Sequence, residues 1–104
     1  MRLTIVRDDN VVIVDGVAMT IDCSAVADVE TPGAQVHAVQ WNGARGEIEF
    51  TRDPHAGNTA PVTPNRVIGN IDQFSPVIAA WTNAKAVADA RRTAAVAATP
   101  VVKP

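Results

Sequence analysis

Two histidines, one cysteine and scattered carboxylates are the side chains of this sequence whose types suit metal binding. His37, His55 and Cys23 lie far apart along the chain, without the close ligand spacings that make zinc motifs specific. We therefore expect no metal site. Cys23 is interpreted as a small buried residue, because nothing near it in sequence would stabilise a thiolate. His37 is expected to be a core residue on the inner face of a hairpin, and His55 a solvated loop residue.

Glu47 and Glu49 are the pair of carboxylates whose spacing comes nearest to hydrolytic chemistry. Glycoside hydrolysis needs two acids that flank a cleft. Two residues separated by one position on a strand lie side by side on the same face instead. A solvated strand face is therefore the preferred interpretation of this pair.

The remaining polar clusters also have turn chemistry as their simplest explanation. The acidic cluster comprises Asp8, Asp9, Asn10 and Asp15, and its spacing does not fit an EF-hand loop. Gly43 and Gly46 are spaced for a turn and not for a phosphate-binding loop. No serine lies in a nucleophile elbow. The sequence thus predicts a non-enzymatic protein with no catalytic residues, no cofactor and no metal.

Composition and charge narrow the classes of partner. The chain has 104 residues, enough for one small domain, and only 4% of its residues are aromatic, so the core must be thin. The net charge is -2, and Arg45, Arg91 and Arg92 do not form a basic patch, so nucleic acid is not expected as a partner.

The sequence also gives no sign of a disulfide or of a membrane segment. One cysteine allows no internal disulfide. No apolar run approaches a membrane span, and no signal peptide is expected.

Residues 36–50 have the pattern of a β-hairpin around which the rest of the chain is arranged. His37, Val39 and Trp41 alternate with polar or small residues on the first arm, as Ile48 and Phe50 do on the second. Asn-Gly in the connection is a strong hairpin signal. A two-residue loop would pair Trp41 with Ala44. A four-residue loop, which we prefer because it stacks more apolar area, pairs Val39 with Ile48 and His37 with Phe50.

The first 21 residues predict a three-stranded antiparallel meander. Asp15-Gly16 suits a type I′ turn, which pairs Val14 with Val17. A two-residue turn at Asp8-Asp9 would place Ile5 opposite Val12. The two turns give the same apolar face, formed by Leu3, Ile5, Val12, Val14, Val17, Met19 and Ile21.

A helix is predicted to follow Phe74. Ser75 suits the N-cap and Pro76 the first helical position, although an earlier turn beginning at Asp72 is an alternative. An apolar stripe at helical spacing would lie against the sheet. The stripe comprises Val77, Ile78, Trp81, Ala84, Val87 and Ala88.

Three further segments lie between the predicted elements. Residues 22–29 allow one helical turn. Residues 52–65 are predicted to form a long irregular loop, and residues 66–68 a short edge strand.

These elements predict an α+β domain over residues 1–90, a small antiparallel sheet packed against one C-terminal helix. Its expected structural core contains Val39, Trp41, Ile48, Phe50, Phe74 and Trp81. Residues 91–104 are an alanine-rich helix extension and tail. This extension is either a frayed terminus or a docking element for a partner, since small side chains allow close backbone approach. Its candidate partner-binding residues are Arg91, Arg92, Ala94, Ala95, Val96 and Ala98.

Four motifs together resemble a family of small proteins of tailed bacteriophages and prophages, often encoded beside tail or tail-fibre genes. They are Asp15-Gly16, IDCS (residues 21–24), HAVQWNGARGEIEF (37–50) and IDQFSPVIAAW (71–81). The similarity covers most of the chain, but the loop over residues 52–65 and the tail after Ala90 are particular to this member. The resemblance carries no catalytic residues. It implies a role in the virion or in tail assembly, through binding other phage proteins.

Two functions fit this resemblance. The first is a structural or accessory component of the virion tail, attached near the tail fibre or baseplate and made in the host bacterial cytoplasm. Its expected partners are other tail or tail-fibre proteins, with a homo-oligomer within a symmetric assembly as a further option. The second is a tail-fibre assembly chaperone that is absent from the mature virion. Neither needs nucleic acid or a membrane. An enzyme that uses Glu47 and Glu49 is a third, disfavoured class, which loss of an activity in Glu47→Gln would revive.

Overall fold

A six-stranded antiparallel sheet and one C-terminal helix form the protein, which confirms the predicted α+β class. The computed structural model describes residues 1–51 and 62–98, with side chains up to Val96. Across the sheet the strands follow the order β3-β2-β1-β4-β5-β6. The elements are β1 (Leu3–Val6), β2 (Val11–Val14), β3 (Val17–Thr20), β4 (Gln35–Trp41), β5 (Gly46–Thr51), β6 (Arg66–Ile68) and α1 (Ser75–Ala98), with 3₁₀ turns at Arg7–Asp9 and Asp72–Phe74.

The N-terminal meander has the predicted register. Val14 pairs with Val17 across the Asp15-Gly16 turn, whose two residues both have positive φ as a type I′ turn requires. Ile5 pairs with Val12 as predicted. The connection between β1 and β2 is longer than the predicted two-residue turn, because Arg7–Asp9 form a 3₁₀ turn closed by Asn10 in the left-handed region. Lengthening the loop equally on both sides preserves the register, so the apolar face is unchanged.

The central hairpin has the preferred four-residue loop. Val39 pairs with Ile48, and Trp41 pairs with Gly46. The Asn42 side chain closes the loop, because its Oδ1 accepts hydrogen bonds from the backbone N–H groups of Ala44 (3.0 Å) and Arg45 (2.8 Å). Asn42 therefore stabilises this turn through its side chain, whereas the positive φ in the loop belongs to Gly43 (104°).

The predicted position of His37 is wrong, because β4 contains a β-bulge. The pairing passes from Val36 opposite Phe50 directly to Ala38 opposite Glu49, which leaves His37 as the extra residue. Val36 takes the buried place that the prediction gave to His37. His37 is exposed instead, and its Nδ1 lies 2.7 Å from Asp8 Oδ2. A strict period of two along the strand cannot anticipate such an inserted residue.

The core lies on one face of the sheet and includes most of the predicted residues. Val39, Ile48, Phe50 and Phe74 are buried. Trp41 and Trp81 are half-buried and pack against the rim of the core. The Trp81 indole Nε1 donates a hydrogen bond to the Val17 carbonyl oxygen at 2.9 Å, which ties α1 to the edge strand β3.

The helical run begins earlier than Ser75, as the alternative start at Asp72 predicted. Ser75 has helical dihedral angles, and its hydroxyl donates to the Asp72 carbonyl at 2.7 Å instead of accepting a backbone N–H. The predicted N-cap role of Ser75 is therefore wrong. Asn70 Oδ1 accepts the backbone N–H of Asp72 at 3.1 Å and satisfies a donor at the start of the turn.

Residues 22–29 form a turn and not the single helical turn that the sequence allowed. Asp22 Oδ1 accepts the Ser24 N–H at 2.9 Å, and the Val26 N–H bonds to the Cys23 carbonyl at 2.9 Å. Cys23 and Val26 are buried in the core. This segment therefore covers part of the sheet where α1 does not, since the principal sheet contacts of α1 are with β2 and β3.

Candidate partner-binding surfaces

The second half of α1 projects beyond the sheet. Val77 is buried, and Ile78, Trp81 and Ala84 pack against the core. Val87 was predicted to belong to the buried stripe but is 50% exposed, so the prediction is wrong for this residue. Every residue from Ala90 to Val96 is exposed. We call residues 90–98 the α1 end.

The predicted partner-binding residues lie along this α1 end. Arg91, Arg92, Ala94, Ala95 and Val96 are all exposed, while the side chain of Ala98 lies outside the described part of the chain. Val96 is 71% exposed. The residues that the sequence pattern grouped together thus lie on one exposed segment of the helix.

Charges at the base of the α1 end are paired within the helix. Lys85 Nζ lies 2.6 Å from Asp89 Oδ2, and Arg92 Nη1 lies 3.6 Å from Asp89 Oδ1. The hydrogen bond from Lys85 lowers the pKa of Asp89, with Arg92 adding a smaller favourable charge. Lys85 is therefore the principal partner of Asp89. Arg92 keeps only a long, exposed contact of the kind that contributes little.

A groove that sequence reasoning missed lies at the other end of α1. We call it the α1 groove; its volume is about 300 Å³. One wall comes from residues 22–29 and the other from the start of the helical run. Its lining is mostly apolar and comprises Asp22, Ala25, Val26, Ala27, Val29, Gln73, Phe74, Pro76, Val77 and Ala80. Val29 is 71% exposed at its edge. No residue spacing predicts this groove, because its walls come from distant parts of the sequence.

A buried ion pair holds the first wall of the α1 groove in place. Arg66 on β6 donates to both carboxylate oxygens of Asp28, at 2.6 and 2.7 Å, and also lies 3.2 Å from Glu30. The Asp28 side chain is fully buried, whereas that of Arg66 is 25% exposed. The Gln73 amide completes the cluster when it is oriented to satisfy both partners, which places its nitrogen 3.3 Å from Asp28 Oδ1 and its oxygen 3.2 Å from Arg66 Nη2. The pair thus fastens the covering segment to the edge strand β6.

Acid should weaken the protein through Asp28. The hydrogen bonds from Arg66 lower the pKa of the Asp28 carboxyl, despite the opposing effect of burial. A lowered folded-state pKa gives stability that is present above the ordinary carboxyl value of about 3.9 and is lost as the pH falls through the folded-state pKa. Urea unfolding between pH 7 and pH 2 should show this loss. Asp28→Asn should be less stable at pH 7 and should have a shallower slope below pH 4.

The dependence of stability on pH should be reduced but not abolished in Asp28→Asn, because two other carboxyl groups have lowered pKa values. The hydrogen bonds from Ser24 lower the pKa of Asp22, and the hydrogen bond from Lys85 lowers that of Asp89. An Asp28→Asn protein with the same acid slope as the unmodified protein would contradict the assignment of Asp28 as an acid-sensitive group.

The two carboxylates considered for hydrolysis lie on the same strand, β5. Glu47 is exposed and Glu49 half-buried on the outer face of the sheet. A concavity of about 430 Å³ at the tip of the central hairpin includes Glu47 but not Glu49 among its lining residues. Its lining comprises Arg2, Thr4, Gln40, Trp41, Asn42, Arg45, Gly46 and Glu47.

Of the side chains considered for metal binding, Cys23 and His37 lie in different surroundings. Cys23 is buried, its Sγ donates to the Ile21 carbonyl at 3.2 Å, and burial raises its pKa. This confirms its interpretation as a small buried residue. His37 lies at the exposed bulge, and His55 falls outside the described residues. Within residues 1–51 and 62–98, no group of three or more histidine, cysteine, aspartate or glutamate side chains could hold a metal ion.

Comparison with known proteins found no relative of this chain. No family model matches the sequence, and neither the curated proteins nor the solved structures give a match. In the part of the chain that the structure describes, no helix has the length and apolar character needed to cross a membrane.

Proposed function

We propose that the protein is a non-enzymatic structural or accessory component of a bacteriophage tail, attached at or near the tail fibre or baseplate. It is made in the cytoplasm of the host bacterium, resides in the tail of the virion, and acts by binding other tail or tail-fibre proteins. Neither nucleic acid nor a membrane is a partner in this proposal. The phage assignment is supported by the sequence resemblance carried by residues 37–50 and 71–81.

The observation that supports binding is the projecting α1 end. A helix gains most of its stability in a protein from packing of one face, yet residues from Ala90 to Val96 are all exposed. A partner that covers this segment would bury Val96 and the aliphatic stems of Arg91 and Arg92. The sheet, with its buried core and its paired Asp28 and Arg66, supplies the rigid body that presents the helix.

Truncation after Ala90 tests this role. The shortened chain should keep the core, because all the buried residues in the described part of the chain precede Ala90, and its thermal unfolding should remain cooperative. Its amount in gradient-purified particles should fall at least about tenfold, equivalent to about 1.4 kcal/mol of binding free energy. A chain that ends after Ala98 is the matched control, because it retains all of α1.

The outcomes distinguish the alternatives. Normal incorporation of the chain that ends at Ala90 would reject the α1 end as the attachment site. If the full chain is abundant in infected lysate but absent from purified particles, the protein is an assembly chaperone and not a virion component.

A further inference from the structure

The two ends of α1 have complementary surfaces. The α1 groove is apolar and has the exposed carboxylate of Asp22 in its wall. The Asp22 carboxylate accepts hydrogen bonds from the backbone N–H and the side chain of Ser24, and Asp22 forms no ion pair within residues 1–51 and 62–98. The α1 end presents an exposed aliphatic side chain, Val96, together with the guanidinium of Arg92. An apolar cleft beside an anion thus matches an apolar side chain beside a cation.

Arg92 and Val96 are spaced to reach one site together. Residues four apart are neighbours on one face of a helix, and both side chains are more than 70% exposed. The contact from Arg92 to Asp89 is 3.6 Å long and exposed, so it is easily exchanged for another carboxylate.

A chain cannot place Val96 in its own α1 groove. Val77 lines the groove and belongs to the same continuous helix as Val96. A rise of 1.5 Å per residue places the two residues about 28 Å apart along the helix axis. The occupant of the groove must therefore come from another molecule.

We propose that the α1 end of one copy docks into the α1 groove of a second copy, with Val96 in the apolar cleft and Arg92 facing Asp22. This inference rests on the proposed function and deepens it by naming another copy of this chain as the partner of the α1 end. The contact joins two different surfaces. Made once between neighbouring copies it is heterologous and builds a closed ring or an open chain, and made reciprocally by two antiparallel helices it closes a two-fold dimer.

A pair of complementary variants tests the contact in the full chain. Val96→Glu damages the α1 end and leaves the groove intact, whereas Val29→Arg blocks the groove and leaves the α1 end intact. Both residues are 71% exposed, so neither substitution should disturb the core. In sedimentation velocity over a range of concentrations, the unmodified chain should form dimers or larger species as the concentration rises. Each variant alone should remain a monomer, and an equimolar mixture should form a dimer and nothing larger.

Two further variants serve as controls. Ala94→Glu adds the same charge on the opposite face of the α1 end, because two residues span about 200° of the helix, and should leave association unchanged. Asp22→Asn removes the charge but keeps the acceptor for the Ser24 N–H. It should weaken association about threefold, the size expected for an exposed ion pair.

A monomeric unmodified chain would overturn the inference, as would a mixture that stays monomeric or an Ala94→Glu protein that dissociates like Val96→Glu. Failure of the proposed function has a different signature. If the inference alone fails, the monomeric full chain still enters particles and the chain truncated at Ala90 does not. If the proposed function alone fails, the chain self-associates but is absent from particles and from tail-protein complexes.

Discussion

Arg66→Ala is expected to lower the free energy of unfolding by about 3 kcal/mol at pH 7 in urea titrations. The substitution removes both hydrogen bonds to a carboxylate whose side chain is fully buried. Removing one partner of a buried pair typically costs 3–5 kcal/mol, because the remaining charge lies unpaired in the interior. We expect the lower end of this range, since Arg66 is 25% exposed and water can reach part of the site.

Variants of both partners distinguish the effect of losing the ion pair from the effect of losing one side chain. Asp28→Ala should cost less than Arg66→Ala, because Arg66 can turn to solvent and to Glu30. The double variant should be at least as stable as Arg66→Ala alone. Arg66→Lys keeps the positive charge but cannot bind both carboxylate oxygens in the same way. Its free energy of unfolding should lie between that of the unmodified protein and that of Arg66→Ala. A loss below 1 kcal/mol in Arg66→Ala would show that residues 22–30 are held in place without this pair.

The parts of the fold that the sequence predicted correctly are those governed by local turns and alternation. Asp15-Gly16 and the loop after Trp41 each restrict the backbone, and the apolar residues on either side must then meet on one face. Each of these turns therefore set the register of its own hairpin. The α1 end was also predictable, because a helix-forming stretch without large side chains has little to pack.

The features that escaped prediction depend on contacts between distant residues. The bulge at His37 places Val36 in the core and brings His37 beside Asp8. These contacts exist only once the strands have paired, so the sequence alone does not show them. Likewise, nothing in the spacing between Asp28 and Arg66 signals an ion pair, yet that pair fixes one wall of the α1 groove. Half of the candidate site, the α1 end, was therefore visible in the sequence, and the other half was not.

Gly46→Ala is expected to destabilise the domain by about 3 kcal/mol, the upper end of the range for overpacking. Gly46 pairs with Trp41 on one side and with Ile68 on the other, so its backbone is held within the sheet. A Cβ atom built at this position overlaps the Gln40 carbonyl oxygen and lies 3.0 Å from the Trp41 Cα. Both are backbone atoms and cannot rotate away, so the strands must separate at the base of the hairpin loop.

Gly69→Ala is the matched control, because a Cβ at Gly69 meets no atom within 4 Å and its φ is not positive. This control should change the free energy of unfolding by less than about 0.5 kcal/mol, as for substitutions away from special features. Urea unfolding monitored by tryptophan fluorescence is the suitable measurement, because Trp41 lies directly across from Gly46. Equal stability of the two variants would contradict the close approach of β4 and β5 at the hairpin loop. With that approach lost, the observed pairing of Trp41 with Gly46 would have to give way to another register.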